Sequence, residues 1–413
     1  MPIRLDKIPS PAARPAPPRI WPWVSLLPLL LLLGVGETLL FSGESLNQQS
    51  IDVWQRTLGV PLFVWCVLLF GRLLLYMGQQ GAADGWDKAR EEDLRRKMRR
   101  GRRSQQVLST NLFTALRNQG EERGKQLDDL LIGTQVLTAQ PTRMDETVVR
   151  HSRLAGAKHE DLEKVLLGVF SQVLAELAQT LAHLPDEKPL ALLLEVESGL
   201  PQSQWRPAWQ RAWSASGIRQ SVVPVEGQGL SALDQWLDQR IDDQALLLVV
   251  ALQFAPLEPE DKAEAAVGLL LGNRLTQTTL SPIAYLHRPE QARASTPDAL
   301  LYATRQALDW GPLDAKSIEH AWRAGIDAQR NAAISTVLAE VPMPVKHNQG
   351  LIDLDASLGH SGTTSPWLAI AAATQTIQRG AGPQFIFSGD SAVDAGLWST
   401  ALTPVLPLST KES

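Results

Sequence analysis

Two long apolar runs open the chain, and short apolar runs alternating with amphipathic stretches fill the rest. The first run, Ile20–Phe41, reads IWPWVSLLPLLLLLGVGETLLF and carries one charge, Glu37, near its end. Some 20 helical residues rise about 30 Å, the thickness of a bilayer's hydrocarbon core. The second run, 58–77, reads LGVPLFVWCVLLFGRLLLYM. Its one charge, Arg72, is close enough to the end to snorkel to the headgroups. Both are expected to span a membrane. From residue 78 to about 103 the chain is polar and charged, as a linker or a solvated helix would be. Residues 159–184 place apolar side chains at helical spacing. Then ALLLEV, SVVPV, ALLLVVAL and AEAAVGLLLG read as strands buried on both faces, with helices predicted at 203–216 and 230–241 between them. The second half repeats the pattern: strands in PIAYLHR, KSIEHAWRAG and PQFIFSG, and helices at 297–310, 327–341 and 365–379. Alternation of this kind predicts an α/β layer architecture, and the two similar halves suggest an internal duplication. The expected division is a tail at 1–19, a transmembrane hairpin at 20–77, a basic linker and arm at 78–144, and a soluble domain at 145–413. The halves of that domain fall at about 145–275 and 276–413.

Charge fixes the expected topology. Arg4, Lys7, Arg14 and Arg19 precede the first run; Arg95, Arg96, Lys97, Arg99, Arg100, Arg102 and Arg103 follow the second. The connection between the runs is poor in positive charge. The positive-inside rule then keeps both termini in the cytoplasm of a two-pass protein, for a bacterial hairpin in the inner membrane. The basic cluster is expected to rest on anionic lipid, in preference to nucleic acid. A net charge of −5 gives nucleic acid no support either. The single cysteine, Cys66, lies inside the second apolar run, which excludes internal disulfides, cysteine metal sites and a soluble cysteine nucleophile. His151, His159, His183, His287 and His347 lack metal-ligand spacing. No P-loop, dinucleotide fingerprint or nucleophile elbow occurs, so neither a metal nor a cofactor is expected.

Three strings, taken with the order of elements, resemble the thiolase fold and within it the β-ketoacyl synthases. GHSGTTSPWLAIAAATQTIQRG at 359–380 is similar to the segment in which a Gly-His pair precedes an Ala-rich helix. GLSAL at 229–233 is similar to the C-x-x-G-L-x-A-L helix start that carries the nucleophile, and AEAAVGLLLG to the family's Gly-Glu-Gly-Ala strand. The resemblance implies a duplicated αβαβα domain. It puts the nucleophilic cysteine at Glu226, three residues before Gly229, and an active-site lysine at Asp355. The window of the first histidine reads HAWRAGID, beginning at His320, while His360 matches the second. A glutamate cannot form the acyl thioester this chemistry requires. These five residues are therefore expected to line a vestigial pocket, and the chain to be a pseudoenzyme.

By this resemblance the expected function is a membrane-anchored, catalytically inactive adaptor, pairing as a homodimer or heterodimer. It would recruit a protein cargo, such as an effector of a type VI-like secretion machine. The alternative is a non-catalytic partner of a related thiolase-like subunit in a lipid or polyketide-type synthase. A weaker alternative is a hydrolytic enzyme built on Glu226 and His360.

Overall fold

The computed structural model describes residues 3, 5–41, 51–117, 123–156, 161–343, 350–389 and 396–405. His159 and His347 lie outside them. The chain divides into two compact units, Arg4–Lys97 and Met98–Ser413, the second including Met1–Ile3.

The first unit is a helical hairpin. Helix α1 is Ile20–Phe41; α2 runs unbroken over Ile51–Gly101, so the charged stretch after the second apolar run is helix. Glu91–Arg95 and Asp93–Lys97 pair along that stretch at i,i+4. The two helices meet at Gly34, where a Cβ would strike the carbonyl of Thr57 and the ring of Pro61. Next to it the Thr38 and Thr57 hydroxyls bond at 2.8 Å, and Trp65 Nε1 donates to the Trp23 carbonyl. Small residues and paired hydroxyls of this kind bring helices together where lipid surrounds them. The apolar parts of α1 and α2 and the helix Leu162–Leu181 are all long and apolar enough to cross a membrane. The third is packed into the globular unit, with eight of its residues buried.

The globular unit begins with β1 (Ser104–Phe113), α3 (Arg123–Ile132) and a hairpin of β2 (Thr138–Pro141) and β3 (Val148–His151). There follow α4 (Leu162–Leu181), β4 (Leu190–Ser198), α5 (Gln202–Ala215), β5 (Val222–Pro224), α6 (Gly229–Gln239), β6 (Leu246–Phe254) and β7 (Ala265–Asn273). The second half holds β8 (Ala284–His287), β9 (Glu290–Gln291), α7 (Pro297–Trp310), β10 (His320–Ala324), α8 (Ala328–Glu340), β11 (Leu351–Asp353), α9 (Leu354–Leu358), α10 (Ser365–Gln378), β12 (Gln384–Ser388) and β13 (Trp398–Pro404).

The strand order is β11-β10-β12-β13-β8-β1-β7-β6-β4-β5. Number the strands within each half, leaving out the two-residue β9 and the separate β2–β3 hairpin, and both halves read 3-2-4-5-1. Strands 2, 3 and 4 of each half are parallel, and strand 5 is antiparallel to its neighbours. The halves join where β1 pairs with β8. Three cores hold five layers together: one packs α4 and α5 on the outer face of the first half-sheet, one surrounds α6 and α10 between the half-sheets, and one packs α7 and α8 beyond the second. Helix α10 is buried on nearly every side, which explains its Ala-rich, weakly amphipathic sequence.

This architecture moves the expected boundary. The globular unit starts at Met98, and β1, within the stretch assigned to a linker and arm, is a central strand of the sheet. Its sequence, SQQVLSTNLF, hides this because polar residues interrupt the apolar pattern. Their partners are buried: Gln105 donates to Asn273 at 2.9 Å, Gln277 to Gln106 at 3.0 Å, and Asn111 to the Val173 carbonyl at 2.9 Å. Strand β13 was likewise unmarked by periodicity. The strand expected from residue 316 begins only at His320, after a turn at Ala315–Ser317.

Candidate functional site

On β4 the side chains of period 2 that face the central helices are Ala191 and Leu193, then Glu195 and Glu197. The strand thus delivers two carboxylates to the layer where α6 and α10 begin. Glu195 is buried. One carboxylate oxygen accepts the Gly229 N–H, the first of α6, at 2.5 Å, and the other accepts Trp367 Nε1 of α10 at 2.8 Å. Gln228, the N-cap residue, gives no side-chain cap, so a distant strand supplies what the helix end lacks. Glu197 accepts the Thr363 N–H at 2.9 Å, in the turn that enters α10. Gly362 has φ +53°, and a Cβ there would collide with Glu197 and Gln253.

His360 precedes that turn. Its N–H donates to the Asp261 carbonyl, and its carbonyl accepts from Ala263 N–H and from Gln253 Nε2 at 2.9 Å each. The ring is half-buried, with Nδ1 enclosed and unpartnered. Asp355, from α9, accepts the N–H groups of Gly325 at 3.0 Å and Ile326 at 2.8 Å, just past the end of β10. Burial pushes the Asp355 carboxyl above its ordinary range, against the pull of His360 and these two donors.

Of the five expected pocket residues, Gly229, Asp355 and His360 lie where strands end and the central helices begin. Two do not. His320 is at the start of β10, about 15 Å along the strand from Asp355's donors, and its Nδ1 lies 3.4 Å from the Gln384 amide. Glu226 is exposed to solvent before α6, not turned inward. The place beside the α6 N-terminus belongs to Glu195, which lies in none of the three strings that carry the resemblance. The usable signal was the pair of glutamates at i and i+2 closing an apolar strand. Among the described residues no group of three His, Cys, Asp or Glu side chains is arranged to hold a metal. Glu195, Glu197 and Asp355 all accept backbone N–H groups at this end of the fold.

The basic cluster is also divided by the structure. Arg100 binds Asp238 through two bonds, of 2.6 and 2.5 Å, and Arg103 donates to the Leu237 and Asp238 carbonyls near the end of α6. These two are held by the globular unit instead of being free for lipid. Arg96, Arg99 and Arg102 are exposed, as is Arg95 beside Glu91. The buried Arg288 completes the network on Asp234 and Asp238, both at 2.7 Å. Burial pushes the Asp238 carboxyl up, but Arg100 and Arg288 together outweigh it and hold it well below the usual carboxylate range. Nearby, Gly101 packs on the Trp310 indole, whose Nε1 donates to Glu290 at 3.3 Å. Burial raises Glu290 to about 7.

No family model and no curated protein matches the sequence. Solved structures do match in three dimensions. A β-ketoacyl synthase from Burkholderia phymatum STM815 superposes with a TM-score of 0.52 at 14% identity, covering 74% of this chain and 100% of its own. The ketosynthase from module 6 of the bacillaene synthase of Bacillus subtilis 168 gives 0.51 at 13%, covering 74% and 71%. The ishigamide ketosynthase/chain length factor gives 0.50 at 16%, covering 73% and 100%. With the repeated 3-2-4-5-1 order and the five layers, these likenesses show that the globular unit has the thiolase-like fold of the ketosynthases.

Proposed function

We propose that this chain is a catalytically inactive, thiolase-like binding protein, tethered to a membrane by α1 and α2, that holds a protein partner. One observation carries the reading: the buried Glu195 carboxylate occupies the α6 N-terminus, where ketosynthase chemistry would need a thiolate. A carboxyl oxygen there takes up the helix-end donor that such chemistry would need. Glu226, exposed, does not replace the nucleophile, and the hydrolytic alternative loses its partner for His360. A cargo bound for a secretion machine is the finer form of this adaptor reading.

A second reading, the non-catalytic partner of a ketosynthase, is favoured by β5. This three-residue strand is a sheet edge, with Val223 54% exposed, ready to pair with a related chain. Two experiments test these readings. Incubation of the purified protein with malonyl and acyl thioesters is expected to give neither decarboxylation nor condensation; turnover that exceeds the buffer rate would overturn inactivity. Affinity capture of the tagged chain from native membranes, read by mass spectrometry, separates the rest. An acyl carrier protein with an intact ketosynthase would replace the adaptor reading with the partner-subunit one; cargo or secretion components without them would support the adaptor.

A further inference from the structure

The N-terminal tail and the polar part of α2 form a contact that the proposed function does not use. Residues 9–18 hold five prolines, at 9, 11, 15, 17 and 18, which favour the extended polyproline II form. That form has no internal hydrogen bonds, so its backbone groups are free for a neighbour. Here the neighbour is α2, within the same compact unit, Arg4–Lys97. Asp87 accepts the Ala12 N–H at 2.9 Å, Trp86 Nε1 donates to the Ser10 carbonyl at 3.3 Å, and Arg90 Nε donates to the Pro9 carbonyl at 2.7 Å. Arg14 adds ion pairs to Asp84 and, at 2.9 Å, to Asp87. Ile8, Ala12, Pro15 and Pro18 are half-buried while the residues between them are exposed, close to the three-residue repeat of an extended chain lying with one edge on a support.

These contacts grip α2 over residues 84–90, at the end of a stretch of low helix propensity. Gly78, Gly81 and Gly85 fall within eight residues there, and glycine is the poorest helix former after proline. Close packing does not demand them: a Cβ built at any of the three meets nothing within 4 Å, whereas one at Gly34 strikes the Thr57 carbonyl. The three glycines therefore loosen the helix without gaining a contact. On their other side α2 is tied to α1 by the bond from Trp65 to the Trp23 carbonyl, and the tail runs from the start of α1 to the grip at 84–90. It bridges the glycines as a splint would.

We propose that residues 78–85 are a hinge in α2, held straight by the N-terminal tail, and that detaching the tail lets the polar half of α2 bend away from its membrane-spanning half. The grip is reversible, because Arg14, Asp84 and Trp86 are each at least half exposed and water competes for their bonds. The device is independent of whether the globular unit is catalytic.

The test uses the full-length protein in detergent, with Cys66→Ser and nitroxide labels on Phe70→Cys and Glu92→Cys, about 33 Å apart on a straight helix at about 1.5 Å per residue. A single narrow distance distribution is expected. Ala12→Pro removes the N–H that Asp87 accepts while keeping the extended form, and Arg14→Ala removes both ion pairs; neither alters α2 itself. Together they should broaden the distribution toward shorter distances and speed amide exchange over residues 82–90 about three- to tenfold. Adding Gly78→Ala, Gly81→Ala and Gly85→Ala should restore both readouts, with unchanged exchange in β6 as the folding control. An unchanged distribution after the tail is detached would overturn the proposal, as would a broad one with the tail intact. Broadening that the three alanines fail to reverse would also overturn it, since the bend would then lie elsewhere.

Discussion

Asp238 is the residue whose loss should be felt most widely in the globular unit. Its side chain is 4% exposed and accepts from Arg100 and from Arg288, which is itself wholly buried. In Asp238→Ala, Arg288 keeps Asp234 but loses half of its compensating charge in a place water does not reach. Breaking one partner out of a buried ion cluster costs about 3–5 kcal/mol. The unit Met98–Ser413 has an unfolding entropy of about 0.6 kcal/mol/K, from roughly 2 cal/mol/K per residue, so the expected fall in melting temperature is about 5–8 °C. Scanning calorimetry of the detergent-solubilised protein at pH 7 measures it. The sign with pH follows from the direction of the shift. Because the folded state holds the Asp238 carboxyl below its ordinary value, its stabilisation is complete above the unfolded value, about 3.9, and is lost as pH falls toward the folded one. The gap between wild type and variant should therefore be flat from about pH 5 to pH 8 and narrow below about pH 4. A fall of under 1 °C at pH 7, or a gap that widens in acid, would refute the reasoning.

Glu290 should behave in the opposite sense. With its carboxyl raised from 4.5 to about 7 by burial, the protein is expected to lose about 3 kcal/mol as pH rises through that window and to level off above it. Glu290→Gln should flatten this part of the stability profile in denaturant titrations at a series of pH values. Gly362→Ala puts a methyl group at φ +53° against Glu197 and Gln253, and should cost about 1–3 kcal/mol. The denaturant midpoint should fall accordingly, and exchange of the Thr363 amide should quicken as its bond to Glu197 loosens.

Where the pattern carried the physics, the sequence was a sound guide. The strands β6 and β7, buried on both faces, read as continuous apolar runs, and α7 and α10 begin at the residues their patterns indicate. Gly229 and His360 entered through the resemblance alone, and the structure places them at the start of α6 and just before the turn into α10. Strand β1 was missed because Gln105, Gln106 and Asn111 are satisfied by residues more than 60 positions away, and no local window contains those partners.

By itself, then, the sequence determined the apolar hairpin, the α/β alternation, the duplication and the absence of a cysteine from the globular unit. Each of these is a property of composition or of short-range period. Tertiary structure alone decided which side chain stands at the α6 N-terminus. Motif spacing pointed to Glu226, only three residues from the helix, whereas the sheet brought Glu195 there from 34 residues away. Folding likewise divided the basic cluster, taking Arg100 and Arg103 for the globular unit. In both cases the buried group is a carboxyl, Glu195 or Asp238, which once out of water must find donors, and only the fold determines which carboxyls are enclosed.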